Sequence, residues 1–316
     1  MKEVMRMSGQ ITTRESEDLI YRFIKFAQVS EKTAETYLKA LRQMMNYLQF
    51  TGETQPTEET LIDWKNWLIC HEEDGQEVRK APATVNLYIT ACRRFFNWLE
   101  REGVYRDIAK YLKGVKIDRE PKKDYMTASQ LRQVIGEADR ETIKGLRDYA
   151  ILVLAITGGL RTIELVRADI KDLTIRGNNT VLYLQGKGYN DRNKFVIVPE
   201  GTERAIREYL KARGTTDGTE PLFASLSNNS RGGRMTTRAV SGVIKEYMKR
   251  AGFDSDRLTA HSMRHSSVTI SLLEGATLEE ARQHARHGSI ATTQIYMHGI
   301  EADNNTCSHR VEKALF

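Results

Sequence analysis

The stretch TVLYLQGKGYNDRNKFVIVP, residues 180–199, decides the fold class. Two runs, TVLYLQG and NKFVIVP, alternate apolar side chains around a turn rich in Gly, Asn and Asp, which reads as an antiparallel β-hairpin. Around it the period is helical. Helices are expected at 128–138, 143–156 and 163–168 before the hairpin, and at 203–212, 237–251, 261–274 and 278–285 after it. This part of the chain is therefore mostly helical with a small antiparallel sheet.

Further upstream, GVKIDREPKK (114–123) has no apolar period and contains Pro121, so it reads as an interdomain linker. Before it the pattern is helical throughout. Ser16 and Asp18 open LIYRFIKFA; Ser30 opens a second helix with Tyr37, Leu41, Met44, Met45 and Leu48 on one stripe, closed by Thr51-Gly52. A third helix is expected at 58–71 after Pro56. A fourth, ATVNLYITACRRFFNWLERE, carries Val85, Tyr88, Ile89, Cys92, Phe95, Phe96 and Leu99. Four helices with short loops make a bundle whose aromatic stripe is core. The expected organisation is a tail (1–15), a helical domain (16–113), a linker (114–124) and a second domain (125–316).

Composition agrees with two domains. The chain has 316 residues, 40% hydrophobic and 28% charged, at roughly 100–200 residues per domain. The longest apolar run, 150–160, is about half of what a membrane span needs. The first residues lack an apolar signal region, and Cys70, Cys92 and Cys307 suggest no disulfide framework, so a reducing cytoplasm is expected. Residues 1–120 carry 19 basic and 19 acidic side chains, leaving 29 and 23 to the remainder. The net charge of +6 thus sits in the second half, which suits a polyanion such as nucleic acid.

The second half lacks the P-loop, the dinucleotide fingerprint, the GxSxG elbow and HExxH, so no cofactor is expected. Six of the seven histidines lie at or beyond His261. His261 and His265 have the spacing of a metal pair on a helix, but Arg264 lies between them and Arg286 abuts His287; adjacent guanidiniums oppose a bound cation. An anion site fits better. His261 and Arg264 share a helix face, and Arg161 follows the Gly158-Gly159 turn with Glu164 placed to brace it. Two arginines on one phosphodiester would stabilise a pentacoordinate transition state without a metal. Lys187, in the hairpin turn, is placed to reach a leaving oxygen, and Tyr296 follows His287 as a phenol that nearby cations would activate.

The order and context of GGLRTIEL (158–165), GKG with a VP-ended strand (186–199), HSMRH (261–265) and RHGSIATTQIYMH (286–298) resemble the tyrosine recombinase, or phage integrase, family. The helical half is similar, through weaker motifs, to that family's core-binding domain. The resemblance implies a mainly α protein with a small antiparallel β-sheet: a helical, SAM-like core-binding domain plus a mixed α/β tyrosine-recombinase catalytic domain, closing as a C-shaped clamp on duplex DNA. It implies Tyr296 as the nucleophile forming a 3′-phosphotyrosyl bond, Arg161 and Arg264 as the phosphate clamp, and Lys187 as the acid for the 5′ oxygen. It further implies His261 as a helper in proton transfer, His287 as a phosphate ligand and Glu164 as the brace behind Arg161. Departures are Ala285-Arg286-His287 where the family often has Leu-Gly-His, Gly288 in place of Ser, and Glu200 after Val198-Pro199. The hairpin turn is slightly long, so Lys194 rivals Lys187.

Candidate DNA contacts are Thr33, Thr36, Lys39 and Arg42 on the second helix, Arg93 and Arg94 on the fourth, and Arg231, Arg234 and Arg238 around the start of the 237–251 helix, where phosphates bind well. A solvated helix face is the competing reading for the first two groups. The expected function is a site-specific DNA recombinase, for integration or excision of a mobile element or for resolution of DNA dimers. It would act as a homotetramer on two DNA sites, with no membrane partner. The short N-terminal tail leaves no room for a separate arm-binding domain. Alternatives are a monomeric type IB topoisomerase-like enzyme and a DNA-binding regulator without catalysis. The extension 300–316 favours the recombinase, because Val311, Ala314, Leu315 and Phe316 form an apolar patch suited to docking on a neighbouring subunit; the competing reading folds it back on its own domain.

Overall fold

A computed structural model describes residues 13–73, 75–117, 124–185, 194–303 and 305–316. The chain forms two compact units, Met1–Arg119 and Glu120–Phe316. The first contains α1 (Thr13–Ala27), α2 (Glu31–Thr51), α3 (Glu58–Ile69), a hairpin of β1 (His71–Glu73) and β2 (Gln76–Val78), and α4 (Pro82–Arg101). On α2, Tyr37, Ala40, Leu41, Met44 and Leu48 recur at helical spacing and are buried. Gly52 ends α2 in the left-handed conformation, φ 70°, and returns its N–H to Gln49 and Leu48 carbonyls. Pro82 sits in the first turn of α4, where its missing N–H costs nothing. The α4 stripe meets Phe23, Leu41, Met44 and Trp64 in one core.

The third helix is shorter than its sequence pattern predicts. It ends at Ile69, and His71 already pairs with Val78 in β1–β2. The strands are mostly polar, so no alternation announces them; only Asp74-Gly75 does, and Gly75 takes φ 73° at the turn. The core also continues past α4, burying Ile108, Ala109 and Leu112. The start of the expected linker is fixed to α4: Asn86 Nδ2 donates to the Val115 carbonyl at 2.8 Å and its Oδ1 accepts from the Val115 amide at 2.7 Å.

The second unit contains α5 (Ala128–Gly136), α6 (Ile143–Thr157), α7 (Thr162–Arg167), β3 (Leu173–Arg176), β4 (Asn179–Leu184), β5 (Lys194–Ile197) and α8 (Glu200–Arg213). Then follow α9 (Thr237–Arg250), α10 (Ala260–Leu273), α11 (Leu278–Ala285), α12 (Ile290–Asp303) and α13 (Cys307–Leu315). The protein is mainly α with a small antiparallel sheet. The expected hairpin is β4–β5, with Leu182 opposite Val196, and β3 adds a third strand with Leu173 opposite Leu182. β3 escapes the sequence pattern because three of its four residues are exposed. Leu182, Leu184, Val196 and Val198 face a core built on α6, with α8 and α9 packed around it. A smaller cluster of Val268, Leu272, Ala281 and Ala285 supports Tyr296 and Met297. Among the described residues no helix is long and apolar enough to cross a membrane. The tail helix α13 is exposed along its length, with Val311, Leu315 and Phe316 at 57%, 70% and 103% exposure, so it does not fold back on its own unit.

Candidate active site

Three helix ends converge in the second unit. α6 stops at Gly158, and Gly159 turns the chain with φ 53°; a Cβ there would lie 3.0 Å from His284 Nε2 and 3.3 Å from Ser267 Oγ, so both backbone and space require glycine. Arg161 then opens α7. Its amide donates to Glu164 Oε2 at 2.9 Å and its Nη1 to Oε1 at 3.0 Å, so the carboxylate caps the helix and holds the guanidinium at once. Arg161 remains about one-third exposed while Glu164 is buried.

Arg264, in the first turns of α10, is 1% exposed. Its Nη1 donates to the Gly159 carbonyl at 2.7 Å and its Nη2 to the Ala285 carbonyl. Among the described residues no carboxylate bonds it. Burial, reinforced by Arg161 and Arg286, pulls its guanidinium down to about 9.

Arg286 ends α11 in the left-handed region, φ 55°, a conformation that costs a residue with a Cβ about 1 kcal/mol. Its side chain is buried. Nη1 donates to the His284 and Gly158 carbonyls at 2.6 and 3.1 Å, and Nη2 to the Gly159 carbonyl and Glu164 Oε2, both at 2.9 Å. Burial disfavours the Glu164 charge, yet Arg286, the Arg161 amide and the Arg161 guanidinium outweigh it and hold the carboxyl below its ordinary value. Three guanidiniums around one carboxylate leave two positive charges unmatched.

Tyr296, on α12, lies between two imidazoles. Its ring centroid is 4.9 Å from His265 and 6.0 Å from His287. His261, exposed at the start of α10, meets His265 edge to face at 4.9 Å. His287 is buried and its Nδ1 bonds Thr293 Oγ1 at 2.9 Å, leaving Nε2 for a ligand. Burial and then the arginines pull His287 down to about 4; burial does the same to His265 and His284, which also sit at about 4, so all three are neutral at pH 7. Burial raises the Tyr296 phenol above its ordinary value, against the pull of Arg264 and Arg161.

The structure thus brings Arg161, Glu164, Arg264, His287 and Tyr296 together, with His261 linked through His265. Lys187 lies outside the described residues. Its rival Lys194 is exposed at the first residue of β5, opposite Leu184. Sequence reasoning left Arg286 without a role and missed His265 as the residue against Tyr296; its adjacency to Arg264 in HSMRH was the available signal.

The candidate DNA contacts divide into two kinds. Lys39 and Arg238 are exposed, and Thr33 and Thr36 are half-buried, their hydroxyls bonded to Ser30 Oγ and the Lys32 carbonyl. Four arginines each bond protein acceptors, and of these Arg42, Arg94 and Arg234 remain exposed. Arg42 forks onto Glu17 at 2.9 Å, Arg93 donates to the Leu112 carbonyl, and Arg94 donates to Tyr37 Oη and the Ala27 carbonyl at 3.3 Å. Arg234 pairs with Asp169 and donates to the Val166 carbonyl at 2.6 Å, tying its loop to the end of α7.

Residues 124–302 match the phage integrase family, and residues 21–103 match the N-terminal SAM-like domain of phage integrases. Tyrosine recombinase XerC of Pelobacter propionicus is 34% identical over 229 residues, spanning 71% of this chain and 70% of the relative. Tyrosine recombinase XerD of Ralstonia nicotianae is 30% identical over 274 residues, 85% of this chain and 84% of the relative. Among solved structures, XerH bound to its palindromic difH substrate in a post-cleavage complex superposes with a TM-score of 0.71 at 18% identity, over 97% of this chain and 84% of that one. The Tn1549 transposon integrase with circular intermediate DNA gives 0.68 at 20%, over 88% and 94%. At these identities the structures speak for the fold.

Proposed function

Because this chain belongs to the phage integrase family, and is a tyrosine-type site-specific DNA recombinase that cleaves and rejoins DNA, we propose that its reaction runs on the residues gathered between α6 and α12. Tyr296 Oη attacks the scissile phosphorus, the bond to the 5′ oxygen breaks, and a 3′-phosphotyrosyl bond and a 5′-hydroxyl result. Arg161 and Arg264 hold the non-bridging oxygens, whose charge grows in the transition state. His287, neutral at pH 7, donates from Nε2 to the same phosphate. His265, neutral at pH 7, and His261 form a route by which the phenolic proton leaves, and Lys187 supplies the proton that the 5′ oxygen takes up. The reverse attack by a 5′-hydroxyl reseals the strand, and the phosphotyrosyl bond conserves the bond energy, so neither nucleotide hydrolysis nor a metal is invoked.

The observation that carries this reading is the buried Arg264 guanidinium beside Tyr296, which among the described residues has carbonyl partners only and so awaits an anion. The substrate in this reading is duplex DNA, which puts the protein in the cytoplasm, and the exposed α13 tail supports assembly of four subunits on two sites. The experiment is to trap covalent protein–DNA complexes in the host and sequence the attached ends. A single recurrent site, lost with Tyr296→Phe, supports the proposal; adducts that persist in Tyr296→Phe refute it.

A further inference from the structure

We propose that Arg286 is a positioning residue for Arg161. From the end of α11 it grips both the Gly158-Gly159 turn and Glu164, and so fixes the clamp arginine at the start of α7. The inference rests on the reading of Arg161 as a phosphate ligand.

The backbone gives the first reason. Position 286 takes a conformation that glycine adopts without strain, yet it carries an arginine whose side chain is 6% exposed. Such a side chain, held against backbone preference and taken out of water, is retained for what it bonds. It bonds the Gly158 and Gly159 carbonyls and the Glu164 carboxylate, all on the segment that delivers Arg161, and the His284 carbonyl on its own helix.

Charge gives the second reason. Glu164 meets Arg161 Nη1 with Oε1, and meets the Arg161 amide and Arg286 with Oε2. Without Arg286 the carboxylate would be hydrogen-bonded to Arg161 alone and would offset more of its charge. With Arg286 it is shared, so its ion pair orients Arg161 without cancelling the charge directed at substrate. The third reason is mutual alignment: the Gly159 carbonyl accepts from both Arg264 and Arg286, so a single peptide group ties Arg286 to the second clamp arginine as well. Among the described residues the other titratable side chains facing this network are the Tyr296 phenol and the imidazoles of His265, His284 and His287, all three imidazoles neutral at pH 7.

The test uses the full-length protein and a suicide duplex carrying the site recovered by trapping, made with either the natural phosphodiester or an uncharged methylphosphonate at the scissile position. Arg286→Gly keeps the backbone conformation and should bind the duplex within about threefold of wild type. Its single-turnover cleavage should fall about 10- to 100-fold on the phosphodiester but no more than about threefold on the methylphosphonate, where one negative charge fewer needs compensation. Arg286→Lys, which keeps the charge but not the fork, should lie between the two. Wild-type cleavage by Arg286→Gly, or an equal loss on both substrates, overturns the proposal. If Arg286→Gly does not fold, Arg286→Lys decides alone: a loss confined to the phosphodiester supports the proposal, and wild-type rates overturn it. An adduct surviving Tyr296→Phe on the same duplex overturns the reading of the site and this proposal with it.

Discussion

Arg147 and Arg264 are both buried in the second unit, at 5% and 1% exposure, and they are held differently. Arg147, on α6, forks onto Asp148 through Nε and Nη2 at 2.9 and 2.7 Å and gives Nη1 to the Ala224 carbonyl at 3.1 Å. Lys144 and Tyr247 Oη complete the shell of Asp148 at 2.9 and 3.3 Å. Among the described residues Arg264 has carbonyls only, and shares its surroundings with two more guanidiniums and the single carboxylate of Glu164. A matched buried pair joins elements of the fold. An unmatched one costs folding free energy that an incoming anion offsets, and such perturbed clusters gather at functional sites. The contrast lies in the partners, since both residues are the same type at nearly the same depth.

Substitution at the two positions should separate stability from activity. Arg264→Met should lower covalent adduct formation at least about 10³-fold, as loss of a principal transition-state donor does. Its unfolding free energy should change by only about 1–2 kcal/mol, because the lost hydrogen bonds are offset by relief of repulsion. Arg147→Met leaves Asp148 buried without its main counter-ion and should cost about 3–5 kcal/mol. Denaturant melts and single-turnover cleavage measure the two effects, and equal stability losses would dissolve the distinction.

A slightly smaller effect is expected for the acid. Lys187→Ala should slow cleavage about 10²–10³-fold, with most of the rate restored by sulfur at the 5′ bridging position, a leaving group that needs no proton. If Lys194→Ala shows that rescue instead, the acid sits at the first residue of β5.

Histidine burial distinguishes the unmatched cluster from the Arg147 pair in a third way. His265, His284 and His287 sit at about 4 against an ordinary 6.5, so the unfolded chain binds protons that the folded chain refuses. Their contribution is complete above pH 6.5 and is lost as pH falls from there through 4. The thermal midpoint of the second unit should drop by several degrees between pH 7 and pH 5. His287→Asn should reduce that slope, and an unchanged slope would mean that the imidazoles are not the responsible groups.

The smallest effect on the isolated protein comes from the tail. Removing residues 311–316 takes away exposed side chains, whose ion pair is the surface contact of Glu312 with His309, so stability and binding to one half-site should change less than about twofold. Cooperative occupancy of two half-sites and recombination should fall, because apolar area of this kind is useful against a neighbour. Unchanged recombination would remove the tail from the assembly.

Much of this was legible in the sequence, for identifiable reasons. Arg161 follows two glycines and precedes Glu164 by three residues, so a local pattern announces a capped helix end. TVLYLQG and NKFVIVP alternate, so the β4–β5 hairpin is visible. β1 and β2 are three residues each with Val78 their one apolar side chain, and β3 is mostly exposed, so none presents a period. The role of Arg286 was not legible, because its carboxylate partner Glu164 lies 122 residues away in sequence and only the tertiary fold brings them together. The protein acceptors of Arg93, Arg94 and Arg234 were hidden for the same reason: charge along a helix does not reveal which carbonyl a guanidinium will find. Lys187 lies outside the described residues, and its assignment comes from the sequence between TVLYLQG and NKFVIVP and from the family resemblance.

The account stands on Tyr296 as the atom donor to phosphorus, beside a clamp that is charged in excess. The most direct measurement is mass spectrometry of the protein trapped on a suicide duplex carrying its own site, digested with nuclease and protease. The account predicts a nucleotide phosphate carried on the peptide containing TTQIYMH, localised to Tyr296 and absent from Tyr296→Phe. A phosphate adduct on any other side chain, or an undiminished adduct in Tyr296→Phe, would contradict it.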